Sequence, residues 1–494
     1  MKDVGHKMAK GAAWMVAFKI TERSIGLIST VILARLLVPA DFGLVALAMA
    51  IIGVLELMSA FGFDLALIQN QTARREHYDT AWTFNLIIFA AVALILVALA
   101  QPAAAFYEDA RLAPIMYWLA LGTAILGFEN IGVVAFRKEL WFGQEFKFLA
   151  AKKLSAFAVT VTLALIFRNY WALVAGIITS RLSGVALSYA LHPYRPRLSL
   201  AARADLLHFS KWMLLSNIIR SLHDSLGNFI IGKMAGAHTL GIFSVSYEIS
   251  TLPSSELSAP IHRATLPGFA KMSADREVIK KGFLDVLSLT ALIGLPAGLG
   301  IAAIAEPLVW VMLGAKWVDT IPLISLLAVF GAVALLESNP HYIFIAVGKP
   351  KLTGLLTTLQ FALKVPVLIL ALGAFGVIGA GMALLFVQSL MLPLAYGIVM
   401  RILELKLRQI LKVLWRPLVS AFVMYFAVRA LSWPESDQFV EHLVEMIALT
   451  GAGFSVYVTL IFALWKFSGS PYGAEQLVLE KMPLPMLKLK REKQ

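Results

Sequence analysis

Residues 9–43 read AKGAAWMVAFKITERSIGLISTVILARLLVPADFG, and this stretch sets the plan of the chain. It opens at Trp14-Met15 and continues as an apolar helix to Arg35. It then turns through Leu36-Leu37-Val38-Pro39-Ala40-Asp41-Phe42 into Gly43. At an offset of 198 positions stand Trp212-Met213, Lys233 and Gly241, with Met234-Ala235-Gly236-Ala237-His238-Thr239-Leu240 between the last two. Tryptophan, basic residue and glycine recur in one register with no gap. A transporter built from two related halves leaves this kind of internal echo. Each copy also places charge inside its apolar run: Lys19, Glu22 and Arg23 in the first, Arg220, His223 and Asp224 in the second. Ionisable groups at membrane depth are costly, so they are expected to face protein or a watery cavity.

Composition takes the whole chain into the bilayer. Of 494 residues, 59% are hydrophobic and 15% charged, whereas soluble domains average near half apolar and a quarter charged. Apolar runs of about 20 residues recur throughout, too long for transmembrane β-strands. The expected fold class is an all-α integral membrane protein. The first apolar run reaches Arg35 without a small-residue cleavage site and reads as a retained helix, not a signal peptide. There is no cysteine, so disulfides and thiolate chemistry are excluded. The net charge of +13 reads as the positive-inside excess of a many-spanning protein, and no nucleic-acid partner is expected.

Hydropathy gives about fourteen spans. They lie near 9–35, 42–68, 80–100, 113–135, 148–167, 171–191, 212–233, 240–269, 283–305, 320–347, 352–373, 377–399, 414–431 and 441–466. Taken alternately, one set of loops is rich in basic residues, among them Arg74-Arg75, Arg137-Lys138, Lys280-Lys281 and Lys349 with Lys351. The other set is poor in them and holds Glu108, Asp109, Asp319, Glu435 and Asp437. That asymmetry predicts cytoplasmic termini, and an even number of spans agrees. A second echo pairs Glu129, late in the fourth span, with Glu337, late in the tenth. The expected organisation is an N-terminal lobe (1–205, spans one to six) and a C-terminal lobe (206–412, spans seven to twelve). Two further spans (413–467) and a basic cytoplasmic tail (468–494) follow. The lobes would be parallel repeats about an axis along the membrane normal. Within the tail a surface helix is expected around Glu475–Leu479, and Pro253, Pro260 and Pro267 suggest a bent or broken eighth span.

Enzyme motifs are lacking. Gly348-Lys349 is followed by Pro350 and has no glycine at P-loop spacing before it. There is no His-Glu-x-x-His and no aspartate-rich metal cluster, so neither a cofactor nor a catalytic residue is expected. Energy for any transport must come from an ion gradient or the substrate's own gradient. What the sequence does offer is charge at depth. Lys19, Glu22, Arg23, Gly26 and Thr30 share one helical face, as do Asn217, Arg220, Asp224 and Asn228, with His223 beside them. Arg181, Arg263 and Lys364 are further cationic candidates, and the acidic set is Glu56, Asp64, Glu129, Glu248, Glu256 and Glu337, any one of them a proton or sodium carrier or the partner of an arginine. One reading is a polar cavity lining; the other is ion pairing that holds the bundle together. Lys152 and Lys153 lie close enough to a span end to snorkel. The cavity candidates lean positive, and arginine's planar fork suits phosphate oxygens in a partly dry site.

Several segments carry a resemblance. The run Leu33-Ala34-Arg35-Leu36-Leu37-Val38-Pro39-Ala40-Asp41-Phe42-Gly43-Leu44 resembles Wzx-type polysaccharide flippases of the WzxC-like branch. So do Gly62-Phe63-Asp64-Leu65-Ala66-Leu67-Ile68-Gln69, Ala135-Phe136-Arg137-Lys138, Phe146-Lys147-Phe148, Tyr170-Trp171-Ala172-Leu173-Val174 and Gly314-Ala315-Lys316-Trp317. That family belongs to the multidrug/oligosaccharidyl-lipid/polysaccharide superfamily. The resemblance implies two six-helix lobes in a V shape and alternating access. It implies movement of an undecaprenyl-diphosphate-linked oligosaccharide across the bacterial inner membrane. It also implies membrane lipids, a downstream polymerase and chain-length machinery as partners. In such flippases cationic cavity residues sit in the first helix of each lobe, comparable to Arg23 and Arg220 here. A cation-coupled extruder of the same fold would favour an acidic cavity instead. A non-transporting scaffold would make all these charges structural.

Overall fold

A bilayer core offers no water to unpaired peptide groups, so long apolar stretches close their hydrogen bonds within helices. The computed structural model describes residues 2–58, 61–271, 276–431, 438–471 and 473–476, with side chains outside 2–13, 16, 57–58, 207–224 and 257–271. Among the described residues there is no strand. Two compact units divide the chain, Met1–Ser244 and Val245–Gln494.

The first unit holds α1 (Lys2–Leu36), α2 (Pro39–Met58), α3 (Phe63–Gln69), α4 (Arg75–Tyr107), α5 (Leu112–Leu126), α6 (Val134–Lys138), α7 (Phe142–Phe167) and α8 (Trp171–Leu191). The long α9 (Arg203–Lys271) begins in it. α7 packs on α8 and α1, and α4 on α5. One apolar cluster (Leu33, Leu37, Ala164, Ala172) ties the end of α1 to the α7–α8 turn. Another, including Phe63, Leu67, Ile131 and Leu206, seats the short α3. The extended strap 192–202 is pinned along the start of α4. Asp79 Oδ1 accepts from Tyr194 Oη at 2.6 Å and Arg197 N at 2.8 Å, and Thr83 Oγ1 accepts from Ser199 N at 3.0 Å. The strap has no helical partners for its backbone donors, and the buried Asp79 and Thr83 supply acceptors for them.

The second unit holds the remainder of α9, then α10 (Arg276–Ala303), α11 (Ala305–Met312), α12 (Ile321–Ala346), α13 (Pro350–Leu403), α14 (Leu407–Ala430) and α15 (Phe439–Phe467). α10 lies against α12 and α14, α12 against α13, and α14 against α15. Phe283, Leu287, Leu336, Phe344, Tyr396 and Met424 belong to the shared core.

Among the described residues, ten helices are long and apolar enough to cross a membrane. They become eleven when α5 and Ile131–Lys138, bent by 65°, count as one broken span. α9 and α13 each contain two span-length segments separated by a non-helical glycine, Gly236 (φ 76°) and Gly376 (φ 60°). α1, with three charges in its apolar run, is not among the ten. A count of fourteen is compatible with this. α9 is broken at Gly236 and stays helical through Pro253, Pro260 and Pro267, so no break falls at the prolines. Neighbouring helices can re-satisfy the carbonyls that a proline frees, whereas positive φ excludes the helix outright. The tail differs too: Glu475 is 2% exposed, and its carboxylate accepts from Arg416 Nε at 2.8 Å inside the unit, so it is not on a surface helix.

The internal echo has a structural counterpart within the first unit. α1 and α2 part at Leu37–Val38, and α9 breaks at Gly236, which is Val38 displaced by the same 198 positions. A methyl built on Gly43 would stand 1.6 Å from the Ala237 carbonyl oxygen; one on Gly241 would stand 1.8 Å from that of Pro39. Pro39 and Ala237 are related by that offset, as are Gly43 and Gly241. The two contacts are therefore exchanged copies of each other, the signature of a two-fold contact. Glycine permits backbones to approach this closely between membrane helices.

Candidate functional site

The α1 seam begins with Lys19, whose ammonium pairs with Glu22 at 3.3 Å, three residues on. Lys19 is exposed and Arg23 half-buried, one turn further along the same helix. A helix places residues three and four apart on one face, so the ammonium and the guanidinium can meet one anion together. Asn217, Arg220, His223 and Asp224 lie on α9, as does Arg263. Their side chains fall outside the described residues.

Arg181 has a different setting. It is 6% exposed on α8, and its Nη2 donates to Glu56 Oε1 at 2.6 Å. Its Nη1 donates to Thr123 Oγ1 and, at 3.3 Å, to the Leu119 carbonyl. The guanidinium thus links α8, α5 and α2 and is committed to protein acceptors. Glu129 accepts from Lys152 Nζ at 3.4 Å, which joins the α5–α6 turn to α7. A lysine assigned to snorkelling therefore has an internal carboxylate within reach. In the second unit Lys364 is half-buried on α13 and Glu248 is exposed on α9.

At the turn of the echo, Lys233 Nζ donates to the Phe106 carbonyl at 2.6 Å and to Glu108 Oε1 at 2.9 Å. That hydrogen bond and the charge behind it hold the Glu108 carboxyl below its usual range.

Sequence reasoning named Glu337 as one acidic candidate among several but not the polar cluster it belongs to. Glu337 on α12 accepts from His341 Nε2 at 2.9 Å and from Gln388 Nε2 at 3.1 Å. Gln388 Oε1 accepts from Gln360 Nε2 at 2.7 Å. Glu337 carried a signal, its place in the second echo. The histidine at i+4 was legible as well, since Glu337 and His341 share a face. The two glutamines lie on separate halves of α13, and no local pattern joins them to Glu337. Among the described residues no group of His, Asp and Glu has the makings of a metal site.

Residues 32–322 match the family described as Polysaccharide biosynthesis protein. The chain is 26% identical over 420 residues to the lipopolysaccharide biosynthesis protein WzxC of Escherichia coli K12, covering 83% of this chain and 85% of that protein. It is 25% identical to the succinoglycan biosynthesis transport protein ExoT of Rhizobium meliloti over 467 residues, 92% of each. Its fold is that of the lipid II flippase MurJ in an inward closed conformation. The TM-score is 0.72 at 12% identity, covering 91% of this chain and 99% of that one. With a matching stretch that spans more than half of its length, the chain belongs to the polysaccharide biosynthesis protein family.

Proposed function

We propose that this chain moves an undecaprenyl-diphosphate-linked oligosaccharide from the cytoplasmic to the periplasmic leaflet of the bacterial inner membrane, for exopolysaccharide or O-antigen assembly. The observation that carries the reading is likeness along 92% of both chains to a protein named for succinoglycan transport. The all-helical multi-span architecture supports it, because such a substrate must cross the bilayer with its charged head shielded.

The diphosphate is held by Arg23, assisted by Lys19, and by Arg220 on the second copy of the same plan. Each arginine offers paired N–H donors to phosphate oxygens. Arg263 and Lys364 extend the cationic path. Glu22, His223, Asp224 and Asn217 balance charge and hydrogen-bond along it, and Glu129 and Glu248 remain candidates for ion exchange. Arg181 keeps Glu56 and α5 in register instead of touching the lipid. The lobes 1–205 and 206–412 alternate around the bound head, with 413–467 and the tail 468–494 appended. Both termini are cytoplasmic, and a polymerase and chain-length machinery take the product.

Chromosomal deletion tests this directly. Lipid extracts of the deletion strain accumulate an undecaprenyl-linked glycan on the cytoplasmic side, and complementation clears it. Arg23→Gln with Arg220→Gln restores membrane insertion but not clearance. Extracts that match the parent strain in amount and sidedness would refute the reading.

A further inference from the structure

Glu337 stands nine residues before the end of α12. At 1.5 Å per residue that is roughly 14 Å of helix, well inside a hydrocarbon core of about 30 Å. It is 7% exposed, and both carboxylate oxygens are filled: Oε1 by His341 Nε2, Oε2 by the Gln388 amide. The Gln388 amide in turn presents its oxygen to Gln360. Each oxygen already accepts one N–H, and among the described residues no group of His, Asp and Glu has the makings of a metal site. The other ring nitrogen, His341 Nδ1, is buried and has no hydrogen-bond partner. A buried polar atom with no partner carries the full desolvation cost, so in a settled structure it calls for a role.

We propose that Glu337 and His341 form a proton-exchange site, and that one proton bound there couples transport to the transmembrane proton gradient. In the empty state the carboxylate is ionised and His341 is neutral with its proton on Nε2. A hydronium ion gives its proton to Nδ1 and leaves as water. The Nε2 proton passes to Glu337 Oε1, so one N–H bond forms, one breaks and one O–H bond forms. The pair goes from one negative charge to none, which removes the main penalty for carrying it through an apolar surround. Release reverses these steps to water on the other side. Nδ1 is closed to solvent in this conformation, as a coupling site must be in some state if it is not to leak protons.

Glu337 pairs with His341 at 2.9 Å, and ionisable groups stand on each element packed around the pair. α10 contributes Thr290 and, five residues earlier, Asp285, whose carboxyl lies near Lys281. On α13, Tyr396 gives its hydroxyl to the Leu336 carbonyl at 2.9 Å, and Lys364 follows Gln360 by one turn. α9 packs on α12 through Ser250 and Ser254 and carries Glu256 and, two turns before it, Glu248. Glu306, Lys316 and Asp319, on α11 and the turn before α12, belong to the opposite end of α12.

Coupling rests on the flippase reading, whereas proton binding does not, so the test has two arms. In the first, purified full-length protein is titrated by infrared spectroscopy. The chain has 30 Asp and Glu residues, so the reading is the wild-type-minus-Glu337→Gln difference spectrum. One protonated-carboxyl component is expected to grow in it as pH falls, and to change midpoint when His341→Gln, which retains the carboxylate, replaces the wild type. Absence of that difference component overturns the proposal. In the second, vesicles holding the protein and a fluorescent undecaprenyl-diphosphate glycan are given a pH step. The wild type should flip at least tenfold faster with the gradient, Glu337→Gln at a rate no gradient changes, and Glu337→Asp with part of the acceleration. Equal acceleration in wild type and Glu337→Gln sinks the coupling. A wild type that moves no lipid sinks the flippase reading instead and leaves the infrared arm to decide the site.

Discussion

Arg181 shows what a cation inside this bundle requires. It joins three helices through Glu56, Thr123 and a backbone carbonyl, with little of its side chain exposed. Removing one partner of a buried pair strands the other charge, which costs more than removing both. Arg181→Met should therefore lower stability by about 3 kcal/mol, read as a fall in the thermal midpoint of the purified protein. The double variant Arg181→Met with Glu56→Gln should recover most of that loss. A double variant no more stable than the single one would mean that Glu56 is not stranded. Arg181 and Glu56 were visible as charges within spans, but their pairing was not. Arg181 and Glu56 lie 125 positions apart, and no periodicity spans that distance. Glu475 was read as a surface residue for the same reason: hydropathy around it says polar, while Arg416, its partner, sits on a different helix.

The Gly43–Gly241 contact joins α2 to α9. Each glycine meets the backbone of the other copy, and neither neighbour is a flexible side chain that could swing aside. Gly43→Ala and Gly241→Ala should each destabilise by about 1–3 kcal/mol through overpacking, and by similar amounts because the contacts are exchanged copies. The double variant should cost less than the sum, since the first methyl already separates the backbones that the second would meet. Thermal denaturation of the four proteins checks all three statements; a fully additive double would mean that the contacts are independent. Gly376 is the contrasting case. Nothing lies within 4 Å of an added methyl there, yet φ is 60°. Gly376→Ala should cost about 1–3 kcal/mol by backbone strain alone, and it should add to Gly43→Ala without coupling. The glycines at 43 and 241 were legible as a repeated register, because a close approach constrains residue type. The breaks were legible less well. Pro253 drew attention as the better-known helix breaker, and 42–68 read as one span where Gly62 (φ 70°) separates α2 from α3.

At the scale of the molecule, apolar runs made the all-helical membrane class legible, because backbone pairing in lipid leaves few alternatives. The number of spans is harder to read from the structure, where a single helix can hold two crossings, as α9 and α13 do across their glycines. Orientation is the property that ties both together, and the chain invites a clean test of it. It has no cysteine, so a single introduced thiol reports without background. Ala110 lies in the connection after α4, and Lys316 in the short turn before α12, both on the side poor in basic residues. Glu139 and Lys351 lie beside the basic turns Arg137-Lys138 and Lys349-Pro350-Lys351. If cytoplasmic loops carry the lysine and arginine excess, Ala110→Cys and Lys316→Cys should react with an impermeant maleimide added to intact cells. Glu139→Cys and Lys351→Cys should react only after the membrane is opened. Fourteen crossings require these four positions to alternate across both halves of the chain. One mid-chain miscount would invert the result for the later pair while leaving the earlier pair unchanged. Labelling of Lys351→Cys from outside, with Ala110→Cys also labelled, would therefore locate the missing or extra span between residues 110 and 351. It would also remove the basis for treating the two copies as parallel.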